Sequence, residues 1–97
     1  MKKLTLNKGK DFLVYRLAQG DTVEIDDIAV NSERKKGIGT KLINMLEKEI
    51  GQGTKLYAFA RHENKIARMF YTKNGFVATT LVNFYPDGSA FLYTKTV

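Results

Sequence analysis

The sequence predicts an α+β fold: a central mixed, mostly antiparallel sheet of about six strands with two helices, in the order βββ-α-β-α-ββ, forming a single domain over residues 1–97. Three observations lead there. Most apolar residues alternate with the two-residue period of strands, while only two stretches place them on a helical stripe. Turn-forming clusters separate these segments at short intervals. The first helical stretch lies between two strand-like ones, the arrangement of a parallel strand–helix–strand crossover inside an otherwise antiparallel sheet.

Residues 2–6 and 11–18 alternate as strands around Asn7-Lys8-Gly9-Lys10, and Gln19-Gly20-Asp21 forms the next turn. The third strand, residues 22–30, changes phase. Val23 and Ile25 share one face by alternation, but Ile28 and Val30 fall on the opposite phase. Keeping one face buried then requires an inserted residue, a β-bulge near Asp26-Asp27; burial on both faces is the alternative.

Residues 37 or 38 to 50 form a helix with Leu42, Ile43, Leu46 and Ile50 on one stripe, ended by Gly51-Gln52-Gly53. Residues 55–60 are a fourth strand. Glu63 or Asn64 opens a second helix, with Ile66, Ala67, Met69 and Phe70 as its apolar stripe. It stops at Asn74-Gly75, where Phe76 is placed for the hydrophobic contact of a glycine-capped end. Strands 76–85 and 89–96 flank Pro86-Asp87-Gly88, a hairpin turn.

Composition narrows the function. There is no cysteine, which excludes disulfides and thiolate metal sites and makes a reducing cytoplasm the expected setting. No apolar run approaches the roughly 20 residues that span a bilayer, and Met1-Lys2-Lys3 is followed by no apolar segment of a signal peptide. No cluster has metal-ligand spacing, and no Ser-His-Asp arrangement is present. The formal charge of +6 favours an anionic partner, which either nucleic acid or a polyphosphate satisfies. Nucleic acid is disfavoured, because the basic residues gather at one turn and the aromatics are spread through the strands.

That turn is "SERKKGIGTKL", residues 32–42. Glycine lets a backbone bend sharply and lets a ligand approach. The first N–H groups of a helix point outward without intrahelical partners and carry partial positive charge. Together they describe an anion site, most often for phosphate. The spacing fails the Gly-x-x-x-x-Gly-Lys-Ser/Thr loop, and Leu42 stands where a dinucleotide fingerprint needs its third glycine. A third pattern fits: Arg/Gln-x-x-Gly-x-Gly/Ala between strand and helix, at Arg34-Lys35-Lys36-Gly37-Ile38-Gly39.

Here the chain resembles the GNAT superfamily of acyl-CoA-dependent N-acyltransferases. "NKIARMFYTKNGF", residues 64–76, is similar to that family's Asn-x-x-Ala-x-x-x-Tyr-x-x-x-Gly-Phe segment, with Asn64, Ala67, Tyr71, Gly75 and Phe76 all matching. The resemblance covers about residues 22–85. It implies acetyl-CoA as the cosubstrate and an amine as acceptor. Backbone amides from Lys35 through Gly37, Ile38, Gly39 and Thr40 would cradle the CoA diphosphate. Backbone groups of Ile28, Ala29 and Val30 would bind the pantetheine arm as another strand would. Arg34, Lys35, Lys36 and Lys73 would meet the outlying 3′-phosphate, and Asn64 and Ala67 would complete the cofactor side.

Direct attack of an amine on a thioester requires two proton movements. The ammonium, with a pKa of about 10, must lose a proton, and the thiolate leaving group, near about 8.5, benefits from a donor. Tyr71 stands where the family's tyrosine acid stands, with a core tyrosine as the alternative reading. Glu24 stands where members with a glutamate base carry it, ahead of Asp26 and Asp27; a solvent-facing strand residue, or proton transfer through water, is the alternative. His62 reads as a surface loop residue beside the site, with help in deprotonating the acceptor amine as the alternative. The family's first strand and two helices, which wall the acceptor groove, have no counterpart in the roughly 20 residues before the central strand. The acceptor side is therefore expected to be open, completed by a second subunit as in a homodimer, or shaped by "NFYPDGS", residues 83–89. A non-catalytic acyl-CoA-binding module of the same fold is the competing reading.

Overall fold

The structure, a computed structural model, describes residues 1–32, 37–85 and 88–97, with the side chains of residues 82–85 outside that description. Its elements are β1 (Lys2–Leu6), β2 (Asp11–Leu17), β3 (Thr22–Val30), α1 (Ile38–Ile50), β4 (Lys55–Arg61), α2 (Lys65–Lys73), β5 (Val77–Tyr85) and β6 (Gly88–Thr96). They form one six-stranded sheet in the order β1-β2-β3-β4-β6-β5. The pair β3–β4 is parallel and the other four pairings are antiparallel. The predicted α+β order is the one observed. Between β1 and β2 a short 3-10 turn over Asn7–Gly9 replaces the expected plain turn. Pro86 and Asp87 of the predicted hairpin turn lie outside the described residues.

The bulge is where the phase change demanded it. Val14 pairs with Asp27 and Tyr15 with Ile25, which leaves Asp26 as the extra residue of β3. The insertion returns Ile28 and Val30 to the side of Val23 and Ile25, and both pack against the core.

That core lies between the sheet and the two helices. Leu42, Ile43 and Leu46 of α1 are fully buried against Leu13, Val23 and Leu56 of the sheet. Each such side chain contributes on the order of 1.5–3 kcal/mol through area removed from water. Lys95 of β6 ties the helix ends to this layer, its Nζ donating to Glu47 Oε2 at 2.7 Å and to the Asn74 carbonyl at 2.8 Å.

Helix α2 differs from expectation in the face it buries. Tyr71 is buried and Ala67 and Phe70 are half-buried, whereas Ile66 and Met69 are 71% and 72% exposed. Positions 67, 70 and 71 form an i, i+3, i+4 stripe as regular as the predicted one. Periodicity fixed the helix but not its rotation about its axis. Its end follows the glycine-cap geometry closely. Gly75 has φ +88°, its N–H donates to Thr72 O at 3.1 Å, and Phe76 N–H donates to Tyr71 O at 2.9 Å. The Phe76 and Tyr71 rings then meet edge to face, with centroids 5.2 Å apart.

Candidate active site

Strands β3 and β4 pair only from Thr22–Lys55 to Glu24–Tyr57, yet β3 continues to Val30 and β4 to Arg61. Beyond Glu24 the β4-facing edge of β3 therefore carries no ladder bonds to β4. The bulge at Asp26 bends β3 where this separation begins. A cavity of about 690 Å³ occupies the opening. Its walls come from Ile25, Asp26, Asp27, Ile28 and Val30 of β3, and from Phe59, Ala60 and Arg61 of β4. Gly37, Gly39 and Thr40 stand at one end, where α1 begins, and Asn64, Ile66, Ala67, Phe70, Tyr71 and Lys73 close it from α2.

The two glycines of the turn have different physical duties. Gly37 is the N-cap of α1 at φ +67°, ψ +27°, and no side chain caps the helix there. An added β-carbon would meet nothing within 4 Å, so backbone conformation alone demands glycine. Gly39 is buried in the first turn, where an added β-carbon would sit 2.6 Å from Cε1 of Phe70. Close packing of α1 on α2 demands glycine here. The result is a helix start whose amides stand beside an open cavity, a suitable place for an anion.

Of the residues singled out from sequence, Ile28, Val30, Gly37, Gly39, Thr40, Asn64, Ala67, Tyr71 and Lys73 meet at this cavity. Ile38 turns into the core, 6% exposed. Ala29, paired with Phe12, belongs to the same strand segment without lining the cavity. Arg34, Lys35 and Lys36 lie outside the described residues. Asn64 also caps α2, its side chain accepting from the Ala67 amide at 3.1 Å. The inward ring of Tyr71 packs among Phe70, Phe76 and Tyr93 and is 8% exposed.

Glu24 does not line the cavity. It is 7% exposed, accepts from Arg16 Nε at 2.7 Å and from the Tyr57 hydroxyl at 3.3 Å, and is also ion-paired with the other end of the same guanidinium. Asp26 stands 3.5 Å from Arg16 Nε. Burial, then the neighbouring Glu24 charge, pushes the Tyr57 phenol above its ordinary pKa. Val23 and Ile25 pack in the core beneath the helices, so the alternation of β3 puts Glu24 on the opposite sheet face. Tyr71 and Glu24 thus sit on the two sides of the point where the sheet opens.

Sequence reasoning overlooked Phe59, Arg61, Phe70 and Ile66 as lining residues. The first two had a usable signal, since they end the strand paired in parallel with the bulged one. His62 is exposed and stacks on Phe91, with ring centroids 5.8 Å apart. Among the described residues, no group of three or more His, Cys, Asp or Glu side chains is placed to hold a metal ion. No helix there is long and apolar enough to cross a membrane.

The fold is shared with solved acetyltransferases. The ribosomal-protein-S18-alanine N-acetyltransferase of Escherichia coli superposes with a TM-score of 0.77 at 26% identity, over 96% of this chain and 65% of its own. Ard1 from Thermoplasma volcanium gives 0.75 at 28% identity, over 90% and 62%. Naa50 of Arabidopsis thaliana, solved with the bisubstrate analogue CoA-Ac-MVNAL, gives 0.76 at 26% identity, over 90% and 65%. The chain thus spans less than two thirds of the length of these relatives. Among curated protein sequences none matches. The sequence model of the acetyltransferase (GNAT) family matches residues 6–76, which include the bulged strand, the glycine turn and α2. The chain belongs to the acetyltransferase (GNAT) family.

Proposed function

We propose that this chain is an N-acetyltransferase that moves an acetyl group from acetyl-CoA to an amine carried by a small molecule, peptide or protein. One observation supports it above the others: the β3–β4 ladder stops at Glu24–Tyr57 and a cavity opens directly beside the glycine-capped start of α1. An elongated arm with an anionic head fits that arrangement. The β4-facing edge of Ile28–Val30 offers backbone groups to a pantetheine amide chain, and the amides of Gly37–Thr40 face a diphosphate. Lys73 at the cavity wall, with Arg34, Lys35 and Lys36 just ahead of Gly37 in the sequence, supplies charge for the remaining phosphate.

Bound acetyl-CoA supplies an activated thioester carbonyl. The chain's own residues then manage two protons. Tyr71, at the helix side of the opening, is assigned as donor to the departing sulfur. Glu24, on the other side, is assigned as acceptor of the ammonium proton through water, held in place by Arg16 and Tyr57. Asp26 and Asp27, which line the cavity, give its acceptor end negative charge suited to an incoming cation. The E. coli relative is named for an alanine of a ribosomal protein, and the Naa50 ligand joins CoA to a peptide. Both favour a peptide amine as the first acceptor class to try. A cytoplasmic setting and a second subunit at the acceptor side belong to the same proposal.

The test is calorimetric titration with acetyl-CoA, followed by measured release of free CoA over a panel of amines. Uptake with acceptor-dependent release is expected. Uptake without release from any amine would favour the non-catalytic module, and no uptake would overturn the reading.

A further inference from the structure

Arg16, Glu24 and Tyr57 form one row across three strands. Arg16 of β2 is the register partner of Glu24 in β3, and Glu24 that of Tyr57 in β4, the last rung before β3 and β4 part. Side chains at directly paired positions of neighbouring strands lie within reach of one another. Here they converge on a single atom. Glu24 Oε1 accepts from Arg16 Nε at 2.7 Å and from the Tyr57 hydroxyl at 3.3 Å, and it also pairs with Arg16 Nη2. No described residue donates to Oε2. Among the described residues no buried side-chain oxygen lacks a partner, so Oε2 keeps contact with solvent although Glu24 is nearly buried.

The same guanidinium reaches past the bulge. Asp26, the inserted residue of β3, brings its Oδ1 to 3.5 Å from Arg16 Nε. Without a cation between them, the two carboxylates would repel where the strand bends away from β4. A planar guanidinium suits this place because it offers several donors in fixed directions, which an ammonium does not. The Arg16 side chain is 54% exposed, and a pair so open to water adds little to stability. Its consequence is orientation. A carboxylate turns easily about its last torsion, and donors gathered on Oε1 remove that freedom.

We propose that Arg16 is a positioning residue for proton transfer: by holding Oε1 of Glu24 and offsetting the charge of Asp26, it leaves Oε2 as the oxygen that receives the acceptor's proton. This rests on the N-acetyltransferase reading above. The ammonium N–H bond breaks and an O–H bond forms at Oε2, with one water relaying the proton. The nitrogen keeps the electron pair for the thioester carbonyl, and Glu24 later returns its proton to solvent.

The test is a double-variant cycle with acetyl-CoA and an amine that the wild type acetylates. Arg16→Gln should lower kcat by roughly ten-fold while acetyl-CoA affinity, measured by calorimetry, stays within about two-fold. With Glu24→Gln already present, the same change should cost no more than about two-fold further, because the group it orients is gone. Arg16→Lys keeps the charge but not the fork, and it should recover only a small part of the rate. A merely structural role would weaken acetyl-CoA binding together with kcat, or lower the rate by the same factor with and without Glu24. Either result overturns the proposal, as does an unchanged rate in Arg16→Gln or full recovery in Arg16→Lys. If Arg16→Gln fails to fold, the cycle is run with Arg16→Lys and read in the same way. Wild-type protein that releases no CoA with any amine would defeat the acetyltransferase reading and this inference with it. Wild-type turnover with an additive cycle would defeat this inference alone.

Discussion

A β-carbon on Gly39 would lie 2.6 Å from Cε1 and 3.0 Å from Cζ of Phe70, so the second glycine of the turn is the point where α1 and α2 touch. Phe70 also lines the cavity, and this contact therefore couples helix packing to the shape of the site. Gly39→Ala should force the Phe70 ring aside at a cost of about 1–3 kcal/mol, part of which the better helix propensity of alanine offsets. Thermal denaturation should show a lower Tm and calorimetry a weaker acetyl-CoA affinity. Adding Phe70→Leu should restore much of both. Additive losses in the double variant would show that the two residues are not coupled.

Gly37 makes the opposite prediction, because space around it is open and only its φ of +67° matters. Gly37→Asn should be tolerated better than Gly37→Ala, which should cost about 1–2 kcal/mol through left-handed strain. Chemical denaturation of the pair measures the difference. Gly37→Glu should fold like these variants yet lose acetyl-CoA, since it sets a carboxylate against the expected phosphates. Retained binding would displace the site.

Tyr71→Phe keeps the ring contacts with Phe70, Phe76 and Tyr93 and removes only the hydroxyl. Turnover should fall by roughly 100-fold, within the range for loss of a general acid, with acetyl-CoA affinity nearly unchanged. An unaltered kcat would remove Tyr71 from the chemistry and leave it as a core residue.

Glu24→Gln leaves the shape of β3 but takes the charge from between Arg16 and Tyr57. If Glu24 receives the acceptor's proton, kcat/KM should fall by at least about ten-fold, and most for the least acidic ammonium acceptors. Equal losses across acceptors of different basicity would assign Glu24 to structure instead.

Asp11, the buried first residue of β2, accepts from the Asn7 side-chain amide and from the backbone N–H groups of Asn31 and Ser32, and it sets an acid limit on stability. The Asn7 side-chain bond, followed by bonds from Ser32 and Asn31, outweighs burial and lowers its pKa from 3.8 to about 2. A carboxyl group with a depressed folded-state pKa stabilises the protein fully above its unfolded value and loses that contribution as pH falls through the folded value. The wild type should therefore lose stability between about pH 4 and pH 2 in a step that Asp11→Asn lacks. Urea melts across that window measure it, and matching slopes for the two proteins would contradict the assignment.

Much of this was legible in the chain because its signals are local. The phase change within residues 22–30 required an inserted residue, and the structure puts it at Asp26. The Asn74-Gly75-Phe76 sequence announced a glycine-capped helix end, and each bond of that cap is present. Other features depend on partners distant in sequence. The rotation of α2 that exposes Ile66 and Met69 follows from how Tyr71 meets β6 and Phe76, which helical period cannot express. The engagement of Glu24 by Arg16 and Tyr57 joins three strands, and nothing near Glu24 in sequence foretells it.

By itself, then, the sequence determined the order of elements, the glycine turn, the bulge and the family, since each follows from residue type and spacing along a few turns of chain. Only the tertiary structure decided how far β3 and β4 stay paired, which face α2 buries, and that Asp11 accepts the backbone N–H groups of Asn31 and Ser32. Those depend on long-range contacts whose geometry is set when the sheet and helices pack together. A hydrogen bond between residues 11 and 32 leaves no periodic trace in the sequence of either segment.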